Sequence, residues 1–364
     1  MLRAALIGFP SSGKTTLFQL MTAGHEAVRP HSRGEAAVGI SRVPDTRLDR
    51  LTAMYNPRRR VPATIEFADI AAAGAGAGQA LVDVAAYRNA DALVHVVHAF
   101  RDQSVPHPAG SIDPARDAQA MEDELILADL GVAERRIERL DKDLKKGRSA
   151  ELEKERDLVH RCQRALEEGK PLRALELTGE DLKRLRGFQF LSAKPLLLVI
   201  NLDEADLSDV GSTVEKAADK SGLTGFLAHA STRAVALCAK IELEIAQLEV
   251  DDAKAFLSDL GLSESGLDRV IRTSYDLLGH MSFFTVGEDE CRAWSIARGT
   301  TAQVAAGEIH TDIQRGFIRA EVVAYDALMK RGSMAACRDH GEVRLEGKEY
   351  VVQDGDIVNF RFAT

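Results

Sequence analysis

The stretch that most constrains this chain is Gly8 to Thr15, reading GFPSSGKT, which meets the pattern G-x-x-x-x-G-K-[ST] at Gly8, Gly13, Lys14 and Thr15. A short apolar run, Leu2 to Ile7, precedes it and helical spacing from Thr15 to Met21 follows, so the opening reads strand, glycine turn, helix. In that setting the glycines let backbone N–H groups converge as a nest on phosphate oxygens, Lys14 reaches the β- and γ-phosphates, and the Thr15 hydroxyl ligates Mg2+. The following helix adds the positive end of its dipole. The loop therefore predicts nucleoside triphosphate binding by Gly8, Pro10, Ser11, Ser12, Gly13, Lys14, Thr15 and Thr16, with Lys14 as the catalytic charge. Such a site needs a second carboxylate at the end of a neighbouring strand to hold the metal. Asp69, after the run TIEFA, fits.

Further apolar runs at Ala63 to Ile70, Ala92 to Phe100 and Pro195 to Ile200 lack alternation, which predicts a mostly parallel sheet buried on both faces in an α/β domain. Between the last two the character changes. From about Pro114 to Arg186 the chain is charged and Leu-spaced, with Leu125, Leu130, Ile137, Leu140 and Leu144 on one helical face and breaks at Gly147 and Gly169. Some 70 residues exceed an ordinary crossover, which predicts an inserted helical hairpin or coiled coil projecting from the sheet. After about Leu278 strand candidates return at Phe283 to Val286, Phe317 to Val323 and Tyr350 to Phe362, with a turn signal at Asp354, Gly355 and Asp356. The resulting division is a nucleotide-binding part at 1–113 and 191–277, a helical insert at 114–190 and a small α+β domain at 278–364.

Four well-separated cysteines without metal-ligand spacing read as reduced thiols, and no apolar stretch long enough to span a bilayer or lead secretion is evident, so a cytoplasmic protein is expected. The net charge of −9 argues against bulk electrostatic adhesion to nucleic acid, DNA included. Residues 1–60 nevertheless carry ten Lys or Arg against four Asp or Glu, with a run at Arg58, Arg59 and Arg60 that reads as solvated surface rather than a phosphate contact.

Guanine recognition in related folds uses Asn-Lys-x-Asp after a later strand, whereas the corresponding segment here is Asn201, Leu202, Asp203, Glu204. Guanine would lose its bidentate acceptor, which counts against GTP. The chain resembles the YchF or Obg-like ATPase family through VPDTRLDRL, VPATIEFADI, DPARDAQAMEDELILADL, ESGLDRVIRTSYDLLGHMSFFTVG, AAGEIHTDIQRGFIRAEVVAYD and RLEGKEYVVQDGDIVNFRF, which together span nearly all of it. The resemblance implies a G-domain-like P-loop NTPase fold with a helical insert and a C-terminal TGS-like β-grasp domain. It also implies ATP favoured over GTP through Asn201 and Glu204, and association with ribosomes. One departure concerns the strand bearing Asp69, where the family has Asp-x-x-Gly. This chain has Ala72 in place of the glycine, followed by an alanine and glycine loop at 73–78. Loss of that backbone contact to the γ-phosphate predicts slow turnover. No Gln or His adjoins Ala72 to position water, and no side-chain general base is evident.

Cys238, Ala239 and Lys240 resemble the Ser-Ala-Lys loop that backs the base in related folds, adding Cys238 and Ala239 to Asn201, Leu202 and Glu204 on the base side. His95 and His98 stand three apart on a strand, face opposite sides, and read as packing or edge residues rather than a shared metal site. His310 and Thr311 read as structural. Residues 280–364 hold ten basic against thirteen acidic side chains, so charge alone predicts no strong RNA grip there. The expected function is Mg2+-dependent ATP binding with slow hydrolysis by a monomer whose partner is the ribosome or RNA. The rivals are a GTPase and a nucleotide-gated adaptor without enzymatic turnover.

Overall fold

The uninterrupted apolar runs form the middle of a parallel sheet. The computed structural model describes residues 2–23, 37–69, 87–147, 149–210, 213–229 and 231–363. In chain order the strands are β1 (Arg3–Ile7), β2 (Ala37–Arg42), β3 (Arg59–Val61), β4 (Thr64–Asp69), β5 (Ala92–Ala99), β6 (Leu196–Leu202), β7 (Thr232–Leu237), β8 (His280–Thr285), β9 (Glu290–Ala297), β10 (Phe317–Val323), β11 (Arg344–Glu346) and β12 (Ile357–Phe362). Four helices matter below: α1 (Lys14–Thr22), α2 (Thr46–Tyr55), α3 (Pro114–Lys146) and α4 (Ala150–Glu167). The chain divides into two compact units, 1–41 with 66–277, and 42–65 with 278–364.

In the first unit the strand order is β2-β4-β1-β5-β6-β7, and β1 runs parallel to both β4 and β5, as do β5 to β6 and β6 to β7. Every residue of β5 and β6 is buried, which explains their lack of alternation. His95 and His98 are therefore interior residues of a central strand, and the edge alternative does not apply. Because β1 lies between β4 and β5, the loops leaving its carboxyl end open into the crevice where such sheets take ligands.

Helix α3 begins where Asp113 accepts from the Arg116 N–H at 3.0 Å and Pro114 occupies the first turn, and it stops at Gly147 after Lys145 and Lys146. Its two ends do different work. Ala118, Met121 and Leu125 join the sheet's core with Leu93, Leu191 and Leu198. Farther on, Ile126, Ala133, Ile137 and Leu140 pack with Leu158, Val159 and Cys162 of α4. The predicted insert is thus a helical pair whose first turns also cover the sheet. Two buried acids fasten it. Asp129 accepts from the Leu191 N–H (2.9 Å), the Ser192 N–H (2.7 Å) and the Ser192 hydroxyl (2.8 Å), and Glu122 pairs with Arg173. Burial pushes the Asp129 carboxyl above the usual range against those hydrogen bonds and the nearby Arg88.

The second unit is built on a sheet of order β11-β10-β12-β8-β9-β3, with β8 parallel to β12 and antiparallel to β9. Phe283, Ala302, Ala305, Ala320, Val322 and Val358 form its core. The segment 42–65, which the sequence division left with the nucleotide-binding part, packs here: β3 adds to β9, and Arg47 of α2 reaches Asp354 at 3.1 Å and lies 5.2 Å over the Phe284 ring. A three-residue strand with two exposed arginines carries too little apolar signal to reveal that. The Arg58 to Arg60 run is the strand and its flank, with partners at Asp289, Glu290 and Asp49. Of the Tyr350 to Phe362 run, only β12 is regular strand. The turn before it has Gly355 at φ +90, a left-handed conformation that suits glycine.

Candidate nucleotide-binding site

The buried strand β1 delivers the loop at a fixed point. Gly8 has φ +144, and a Cβ there would lie 2.5 Å from the Val96 carbonyl oxygen. Gly13 has φ +98, and a Cβ there would meet the Asn201 amide nitrogen at 2.6 Å. Both positions thus require glycine, for the turn and for close approach. Gly13 also stands as N-cap of α1 without a side chain to satisfy the first N–H groups, so these remain for an anion.

Lys14 is largely buried and its Nζ donates to the Gly8 and Phe9 carbonyls at 2.8 and 2.9 Å, closing the loop on itself. Burial lowers its pKa, opposed by the charge of Asp69. The Thr15 hydroxyl donates to Asp69 Oδ2 at 2.9 Å, so the two predicted metal ligands meet across α1 and β4. A hydroxyl and a carboxylate at this spacing are hard oxygen donors of the kind that hold Mg2+ when phosphate and water complete its octahedron. The donor set fits. Among the described residues no group of three or more His, Cys, Asp or Glu forms a separate metal cage. Ser12 is buried with its hydroxyl unpartnered beside the loop.

A cavity of about 890 Å3 opens beside the loop. Ser11, Gly13, Thr16, Asn201, Leu202, Glu204, Cys238 and Ala239 all line it, so the structure brings the loop together with the predicted base side. Gly8, Pro10, Ser12, Lys14, Thr15 and Asp69 lie along the loop and metal side instead. Asn201 spends its amide on the protein: Nδ2 donates to the Ser12 carbonyl and Oδ1 accepts from the Ala239 N–H, both at 3.0 Å. It clamps the phosphate loop to the first turn of the helix Ala239–Ile245. Leu202 is buried, Glu204 is exposed at the rim, and Asp203, which also lines the cavity, caps the next helix by accepting from the Asp206 N–H at 2.8 Å. Burial pushes the Cys238 thiol upward, so it stays neutral. Ala72 and the loop 73–78 lie outside the described residues.

One wall, apart from Lys240, had no sequence signal. Phe100, Arg101, Asp102 and Val105, together with Lys240 and Leu243, also line the cavity. The ring of His98 stacks on Phe100 at 3.9 Å and its Nε2 meets the Phe100 carbonyl at 3.0 Å. Asp102 accepts from the Ser104 hydroxyl and N–H, which hold its carboxyl below the usual range. Farther along, His107 contacts Asp117 of α3 at 2.6 Å. The segment from Phe100 is thereby tied to the first turn of α3. The end of β5 is the sheet position that could have pointed to it.

Comparison with known proteins bears on the family and the overall fold. Residues 280–363 match the family YchF-GTPase_C, described as a protein of unknown function (DUF933). The Ribosome-binding ATPase YchF of Bacillus subtilis is 42% identical over 367 residues, covering 99% of both chains. Its namesakes from Haemophilus influenzae and Mycoplasma genitalium are 40% and 37% identical over 368 and 371 residues, each covering at least 99% of both chains. The solved structure of the Schizosaccharomyces pombe YchF GTPase superposes with a TM-score of 0.84 at 29% identity, over 99% of this chain and 97% of that one. The phosphate loop on its parallel sheet, the helical pair and the C-terminal unit are those of a P-loop NTPase fold, and the chain belongs to the YchF family.

Proposed function

We propose that this chain binds ATP with Mg2+, hydrolyses it slowly to ADP and phosphate, and does so in a cycle directed at the ribosome. The observation that carries this reading is the clamp by which Asn201 joins the phosphate loop to the base-side turn around one cavity. The Gly8 to Thr15 backbone would receive the phosphates, and Lys14 would exchange the Gly8 and Phe9 carbonyls for phosphate oxygens. Thr15 and Asp69 would hold Mg2+, which when bound supplies charge neutralisation across the β- and γ-phosphates. Positioning and electrostatics then do most of the catalytic work. Leu202 and Glu204 stand where guanine recognition would need Lys and Asp, which favours ATP. The ribosome enters through the names of the bacterial relatives. A monomeric, cytoplasmic protein is part of the same reading, and no described helix is long and apolar enough to cross a membrane.

The rival GTPase reading draws on the name of the fission yeast relative. Isothermal titration with ATP and GTP in Mg2+ separates the two: tighter ATP binding is expected, and tighter GTP binding would overturn the assignment. Single-turnover hydrolysis beside an Ala72→Gly variant tests the slow step. The variant should be faster, whereas a brisk rate in the unmodified chain would refute weakened γ-phosphate sensing. Background-level turnover with nucleotide-dependent ribosome binding would instead make the chain an adaptor.

A further inference from the structure

The helical pair carries a second concave site, remote in sequence from the phosphate loop. A groove of about 620 Å3 runs between α3, α4 and the turn at Gly187 and Phe188. Arg135, Arg136 and Arg139 of α3 and Arg184 line it together with Glu151 and Glu155. The acids are already engaged: Glu155 holds Arg136 at 2.7 Å and Glu151 holds Arg184 at 2.9 Å. Arg135 and Arg139 are exposed and have no acidic partner among the described residues. They stand four residues apart on one helix, about 6 Å along its axis, so both guanidinium groups flank the same side of the groove. In a chain of net charge −9 this is a local surplus of positive charge on a built concavity.

The floor is of a different kind. Phe188 stacks on Phe190 with ring centroids 5.1 Å apart, Arg136 lies 6.0 Å over the Phe188 ring, and Val132 and Leu152 extend the apolar surface. A partner that fits must offer anions to the rim and a flat apolar face to the floor. We propose that this groove binds single-stranded RNA, with successive phosphates on Arg135 and Arg139 and an unstacked base against Phe188 and Arg136. Duplex RNA would meet the rim equally well but keeps its bases stacked away from the floor, and an acidic peptide offers the charge without the π-face. The inference deepens the ribosome-directed part of the proposed function and rests on it for its setting.

The test uses the full chain and fluorescence anisotropy with a labelled single-stranded RNA of mixed sequence, the same sequence as a duplex, and poly-glutamate as competitor. Single strand should bind more tightly than duplex. The double variant Arg135→Ala and Arg139→Ala should weaken single-strand binding roughly tenfold and flatten the salt dependence by about 1.4 in log–log slope, two phosphate contacts' worth. Phe188→Leu, which keeps the apolar volume, should weaken binding by roughly fivefold or more at unchanged slope. Affinity unaltered in the double variant, equal affinity for duplex, or displacement by poly-glutamate as effective as by unlabelled RNA would each overturn the proposal. ATP titration and thermal melting of every variant run beside it. RNA binding lost with ATP binding and melting intact is then distinct from a failed phosphate loop or a failed fold.

Discussion

At the scale of single residues, His95 shows how the sheet's interior controls ionisation. It lies inside β5 with Nε2 unpartnered, and burial, reinforced by the charges of Lys14 and Arg173, pushes its pKa down to about 3. The unfolded chain binds a proton near the ordinary value of 6.5 while the folded chain does not, so stability is present above that value and drains as pH falls toward 3. Between pH 7.5 and 5 this one group should cost roughly 2 kcal/mol. Urea denaturation at both pH values should show His95→Leu losing that much less than the native chain; equal losses would refute the assignment. Asn201 supports a second expectation. Asn201→Ala leaves the Ser12 carbonyl and the Ala239 N–H without their partner and should cost roughly 1–3 kcal/mol, with weaker ATP binding by calorimetry. Asn201→Asp keeps the contact to Ala239 but sets an anionic oxygen against the Ser12 carbonyl, so it should restore little. The glycines, Lys14 and Thr15 were legible in the sequence because their spacing encodes backbone geometry. The Asn201 clamp was legible as a motif position, yet its role as a strut between two loops depends on β6 standing two strands from β1, which no local pattern reports.

At the scale of elements, α3 is where sequence and structure differ most instructively. Its apolar spacing predicted a helical pair, and Ile137 and Leu140 do face α4. The acids that seem solvated in such a charged stretch include Glu122 and Asp129, both buried, and only the return of the chain at Arg173, Leu191 and Ser192 gives them partners. Asp129→Ala would orphan two buried N–H groups and a hydroxyl, so it should destabilise the first unit by about 2–4 kcal/mol in chemical denaturation. Asp129→Asn keeps an acceptor and should cost less; equal losses would make the site a matter of packing rather than hydrogen bonding. Strand β3 was illegible for a related reason. Arg59 and Arg60 join β9 by backbone pairing, and their exposed ion pairs contribute little that a reader of charge patterns could use. The wall at Phe100 to Val105 shares this character, since an irregular segment becomes a cavity wall only once β5 is placed beside β6.

For the whole molecule the question is how a cavity beside β1 could influence a partner as large as the ribosome proposed for this chain. The segment leaving β5 lines the cavity at Phe100 and Val105, continues to His107, and is fixed to α3 through Asp117. A nucleotide that moved Phe100 would therefore bear on the helix whose far turns carry the arginine groove. Coupling of this kind is reciprocal: when ATP raises ribosome affinity by some factor, ribosomes must raise ATP affinity by the same factor. Cosedimentation in the apo, ADP and ATP states gives one factor, and titration of a fluorescent ATP analogue with and without ribosomes gives the other. The expected coupling is roughly 5- to 150-fold, equal by both routes within error. Lys14→Ala should abolish the nucleotide dependence of cosedimentation while leaving the apo level intact, because Lys14 belongs to the phosphate loop and not to the helical pair. Identical ribosome binding in all three states would mean that the cavity and any surface that binds the ribosome are thermodynamically independent, and the cycle proposed for this chain would fail even if ATP binds and turns over.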